Sequence, residues 1–122
     1  MSGNKMVDLD ILRPERKMTK LANKEFDLSY IPVGITFEVD ELVNELSTLD
    51  MEKLKINDPE EVKKGLSLSV KLCATFTSFW EPEINEDWWM KNANAFQIRK
   101  MADQLKETLA DSYEGVRVYG KN

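Results

Sequence analysis

From Lys24 to Ile31 the chain reads KEFDLSYI, with Phe26, Leu28 and Tyr30 alternating with Asp27 and Ser29. That period of two marks a strand with one buried face. Upstream, RKMTKL offers a second strand around Met18. Between them LANKE supplies Asn23, which tolerates the left-handed conformation of a tight turn. These segments predict a β-hairpin turning near Ala22–Asn23. Its apolar side needs a cover, since only one face of such a ribbon can stay wet.

Past Pro32 and Gly34 the period lengthens. Val39, Leu42, Val43, Leu46 and Leu49 fall at helical spacing, with Glu41, Asn44 and Glu45 on the opposite face. The pattern predicts a helix starting between Thr36 and Asp40. The next start is written in NDPEEVKKG. Asp58 can accept from free N–H groups, Pro59 suits the first helical position, and Glu60 and Glu61 complement the positive helix end. Two apolar stripes follow: Val62, Leu66, Val70 and Cys73, then Leu68, Leu72, Phe76 and Phe79. A helix apolar on two sides is a central one, so this segment is expected to be the spine, running to Phe79 or Trp80. Pro82 ends it.

Asn85 or Ile84 then opens a short turn carrying Trp88 and Trp89. Asn94 caps a last helix that buries Ile98, Met101, Ala102, Leu105 and Leu109. The closing GVRVYGKN alternates at Val116 and Val118, as a short strand or a tail would. Together the elements predict an α+β fold, an N-terminal β-hairpin packed on a mostly helical domain of three to four helices. The chain reads as a single domain over 1–122. It divides into a loose leader (1–8), a hairpin region (9–33), a helical region (36–111) and a tail or short strand (112–122).

Composition narrows the chemistry. At 122 residues, a domain buries roughly two thirds of the surface its unfolded chain exposes, enough for its own core. The net charge of −5 and interleaved basic residues argue against a nucleic-acid face. No apolar run approaches the ~18 residues of a spanning helix. A lone Cys73 and a polar N-terminus fit a reducing cytoplasm.

There is no His. That removes imidazole acid–base chemistry and the usual zinc sets. Cys73 lies in the apolar SVKLCATF and reads as a buried, inert thiol. The carboxylate pairs Glu60–Glu61, Glu81–Glu83 and Glu86–Asp87 sit at helix starts or beside proline, where capping explains them. Ser67 or Ser69 with Lys71 is the one nucleophile–base pairing on offer, although hydroxyls within a helix usually bond back to preceding carbonyls. No catalytic, cofactor-binding or metal-ligating residue is expected.

Trp88 and Trp89 pose a geometric problem. Successive helical residues point about 100° apart. Both rings are buried only if the element has neighbours on two sides. One ring is therefore expected to dock inward, onto Phe79 or Phe96, and the other to stay partly exposed near Met90. Trp and Met are enriched in contact surfaces, so Trp88, Trp89, Met90 and Phe79 are the candidate partner-binding residues.

Three stretches carry a family resemblance: ILRPERKMTKLANKEFDLSYIPVG, the acidic Leu-bearing helical middle, and INEDWWMKNANAFQIRKMADQLKETL. Across most of residues 9–111 the chain resembles the small tail assembly chaperones of long-tailed bacteriophages or prophages of Gram-positive hosts. The resemblance implies a non-enzymatic protein of the host cytoplasm, absent from the mature virion. It would bind the tape measure protein, recruit tail tube subunits and self-associate, with no cofactor, nucleic acid or membrane. The competing readings are a structural tail or head–tail component that stays in the particle, and a small hydrolase-type enzyme.

Overall fold

A computed structural model describes residues 6–49 and 58–120, the last six of these by their backbone. It has an N-terminal hairpin followed by four helices. A single 3-10 turn at Leu9–Leu12 precedes β1 (Met18–Leu21) and β2 (Lys24–Asp27). The helices are α1 (Val33–Ser47), α2 (Pro59–Trp80), α3 (Glu86–Asn92) and α4 (Ala95–Gly120).

The hairpin forms where alternation and turn chemistry agree. Ala22 and Asn23 both take positive φ, 50° and 64°, the tight reversal that matches strand twist. The strands pair antiparallel, Leu21 opposite Lys24 and Thr19 opposite Phe26. The ladder stops at Asp27 because its carboxylate captures the Ser29 amide at 3.0 Å and the Lys17 amide at 3.3 Å. Burial pushes that carboxyl up, but hydrogen bonds from Ser29 and Lys17 and the charge of Arg16 outweigh it and hold it below its ordinary value. Phe26 and Leu28 are buried, as their alternation requires.

α1 begins earlier than its apolar stripe announces. Pro32, at φ −59°, presets the chain, and Thr36 Oγ1 donates to the Pro32 carbonyl at 3.0 Å. Gly34 sits in this first turn, where its backbone freedom costs little. A Cβ there would lie 3.5 Å from the Phe79 ring, an ordinary contact distance, so α1 lies directly against α2 at this point. Val39 and Leu49 are buried, and Leu42, Val43 and Leu46 pack against the core.

α2 is the spine. Asp58 Oδ1 accepts from the amides of Glu60 and Glu61, with Pro59 in the first turn. From Leu68 to Thr77 nearly every position is buried, and α2 packs against α1, α3 and α4. The stripes are buried only in this middle stretch. Val62, Leu66 and Phe79 remain substantially exposed, although α1 and Leu49 just beyond it touch α2 near both ends, Gly34 beside Phe79 and Leu49 beside Gly65. Gly65 admits a close neighbour: a Cβ there would meet a Leu49 methyl at 3.2 Å.

α3 is capped by Asn85, which accepts from the Trp88 amide at 3.0 Å. α4 opens on a reciprocal box, Asn94 with the Gln97 amide and Gln97 with the Asn94 amide, each 2.9 Å. Its five expected core residues are all buried. The 112–122 segment is not a strand or tail as far as Gly120: α4 runs through it. A strand there has no partner, since the described sheet holds only β1 and β2. The single Gly115 costs the helix only about 1 kcal/mol. Thr108 Oγ1 donates to the Leu28 carbonyl at 2.7 Å and fastens α4 to the end of β2.

Candidate protein-binding face

The Trp pair divides as the 100° argument requires, but around a different partner. Trp89 is 1% exposed. Its Nε1 donates to Thr77 Oγ1 at 3.0 Å, and its ring tilts over Phe26 at 5.8 Å between centroids. Trp88 is half-buried, edge-on to Phe26 at 6.2 Å and to Trp89 at 5.2 Å. The expected inward contacts, Phe79 and Phe96, are instead exposed residues. The hairpin supplies the docking surface because its apolar face lies against α3 and α4.

Trp89 must therefore be withdrawn from the partner-binding set. A ring sealed in the core and hydrogen-bonded through its only polar atom cannot also touch another protein. Thr77 explains the seal. Its hydroxyl accepts from Trp89, and donates toward the carbonyls of Ile84 at 2.8 Å and Cys73 at 3.0 Å. One side chain thus ties α2, the 81–85 turn and α3 together.

Phe79 and Met90 are accessible, at 47% and 68%. Phe79 belongs to a larger face. Its ring stands 5.1 Å from Trp80, and Trp80 stands 6.0 Å from Tyr30. On the other side Phe79 abuts Gly34 of α1, whose neighbours Val33 and Phe37 project outward one turn apart, 81% and 79% exposed. Trp80 is 48% exposed. At about 200 Å² per aromatic side chain, Phe37, Phe79 and Trp80 alone leave about 350 Å² of ring surface in water. The largest apolar patch on an ordinary monomer is of this order and is often functional.

Val33, Phe37 and Trp80 were not among the sequence candidates. Phe37 could have been found: it lies two residues from both Ile35 and Val39, about 200° around the helix from each. An aromatic ring opposite the core stripe has no packing role to explain it. A shallow hollow of about 260 Å³ adjoins the face, with Ile35 and Ala74 at its base and Glu38 and Glu86 on its rim. α1 carries Glu38, Asp40, Glu41 and Glu45 and no Lys or Arg. On its other flank, desolvation and then the hydrogen bond and charge of Asp40 raise the Tyr113 phenol above its ordinary value.

The nucleophile candidates are placed differently. Ser69 donates to the Gly65 carbonyl at 2.9 Å, while Ser67 and Lys71 are exposed. Cys73 is buried with its Sγ directed at the Ile98 carbonyl, 3.7 Å away, and burial pushes the thiol from 9.0 up to about 12. Among the described residues no three His, Cys, Asp or Glu side chains converge on a metal position. None of the described helices is long and apolar enough to cross a membrane. Comparison with protein families, curated proteins and solved structures finds no match to this chain.

Proposed function

We propose that this protein is a non-enzymatic tail assembly chaperone of a long-tailed phage or prophage, working in the host cytoplasm. It would shield the helical tape measure protein and recruit tail tube subunits. The observation that supports the reading is the acid-rimmed aromatic face of Val33, Phe37, Phe79 and Trp80. Such a face suits an amphipathic helix laid into a groove, whose apolar anchors recur every three to four residues. The surrounding carboxylates keep the free domain soluble and favour a partner with basic flanks.

Co-expression with the tape measure protein of the same phage or prophage tests the proposal. The wild type should hold that protein in solution, and the Phe37→Ala, Phe79→Ala double variant should lose it while keeping its helical signal. A wild type that fails to bind or solubilise that protein refutes the assignment. Mass spectrometry of purified particles separates it from the structural-component reading, since a chaperone leaves the finished tail.

A further inference from the structure

The Met6–Leu12 segment before β1 has the alternation of a strand and leaves its large apolar side chains mostly in water. Met6, Val7, Leu9, Ile11 and Leu12 are 60–89% exposed. Val7, Leu9 and Ile11 alternate with Asp8 and Asp10, the period of a strand with one apolar face. Here Leu9–Leu12 forms a 3-10 turn with local bonds, from the Asp10 amide to Asp8 Oδ1 and from the Arg13 amide to the Asp10 carbonyl, and the anchor to the rest of the fold comes after it, where Arg13 donates to Tyr30 Oη at 2.8 Å and lies over its ring. None of the turn's residues is buried. Little opposes its becoming extended.

A complementary groove lies along the outer side of β1. It has a volume of about 240 Å³ and runs between Thr19–Leu21 and α4, over Trp89 and Met101. Phe96, 83% exposed, lines it, together with Lys20 and Lys100. Neither lysine has an ion-pair partner among the described residues. Among the described residues β1 pairs only with β2. Because the Leu28 amide bonds to the Lys17 carbonyl, antiparallel alternation turns the backbone groups of Met18 and Lys20 away from β2. That is an open strand edge beside an apolar trough, with Lys20 projecting from the opposite face to Thr19 and Leu21.

We propose that the Met6–Leu12 segment of one molecule adds as a third strand to the β1 edge of a second copy. Val7, Leu9 and Ile11 fill the groove against Phe96 and Met101, and Asp8 and Asp10, on the opposite face of the added strand, lie toward Lys20. Backbone pairing to an exposed edge supplies affinity, and alternate side chains supply register. A second copy is the occupant because this chain carries both halves of the match: a strand apolar on one face and acidic on the other, and an open edge with an apolar groove on one face and Lys20 on the other. The exchange uses neither Phe37 nor Phe79, so it stands whatever the fate of the chaperone reading.

Sedimentation of the full chain over a range of concentrations tests it. The wild type should form a reversible dimer or larger assembly. Leu9→Asp with Ile11→Asp should weaken association at least roughly tenfold, as should Asp8→Lys with Asp10→Lys, or Lys20→Glu. Carrying both charge reversals in one chain should restore it. All these side chains are exposed, so circular dichroism should show every variant folded. A wild type that stays monomeric, including one whose segment occupies its own groove, overturns the proposal. So does a strap variant that associates like wild type, or a doubly reversed chain that stays monomeric.

Discussion

Thr77→Val isolates the junction that seals Trp89. The swap keeps the shape of the side chain and removes only the hydroxyl, so no cavity opens. What it leaves behind is two groups in the dry core, the Trp89 indole N–H and the Ile84 carbonyl, bonded at 3.0 and 2.8 Å in the native protein. Both residues are at most 1% exposed, and water cannot replace the lost partner without disrupting the packing. An orphaned buried polar group costs about 1–3 kcal/mol. Two such groups, with some relaxation, give an expected loss of about 2–4 kcal/mol.

For 122 residues, an unfolding entropy of about 2.1 cal/mol/K per residue converts each kcal/mol into about 4 °C. The melting temperature should therefore fall by about 8–16 °C. Urea unfolding followed by tryptophan fluorescence and by circular dichroism measures the loss directly. Trp89→Phe removes the indole N–H. In that background Thr77→Val should cost about 1–2 kcal/mol less than in wild type, which a double-mutant cycle reads as coupling. A Thr77→Val protein within about 0.5 kcal/mol of wild type would show that the hydroxyl does not organise the junction.

Other perturbations separate packing from surface. Trp89→Ala should destabilise by about 3–5 kcal/mol, whereas Met90→Ala, one residue on but exposed, should change stability by less than about 0.5 kcal/mol; equal effects in denaturant melts would contradict the division of the two positions. Asn94→Ala removes one arm of the α4 capping box and should cost about 1 kcal/mol, read in the same melts. Cys73 should resist thiol reagents in the native protein at neutral pH and react only on unfolding. Because its folded pKa, about 12, lies above its ordinary 9.0, the stabilisation it lends is intact below pH 9 and lost as pH rises toward 12. Wild type should lose ground to Cys73→Ala across that window, by up to about 1.4 kcal/mol per pH unit; parallel pH profiles for the two proteins would refute it.

The chain by itself determined whatever depends on neighbours within a turn or two. The Ala22–Asn23 reversal, the Asp58–Pro59 start, the caps at Asn85 and Asn94, the stop before Pro82 and the inner stripe of α4 all follow from short-range hydrogen bonding and periodicity. The 100° offset between Trp88 and Trp89 is of the same kind, and it required that the two rings meet different surroundings.

Tertiary packing decided which ring went inside and against what. Phe26, more than sixty positions earlier in the chain, is set beside α3 by the hairpin's docking, and no local pattern encodes that meeting. Packing also left Phe79 half in water, because α1 meets it at Gly34, which has no side chain to lay over the ring. The backbone of α4 continues through Val116 and Val118, and the described sheet offers their alternation no strand to join. Hydrophobic burial has no direction of its own. A sequence can therefore show that a side chain is apolar and on which side of its element it lies. Whether another element arrives to cover it depends on the whole fold.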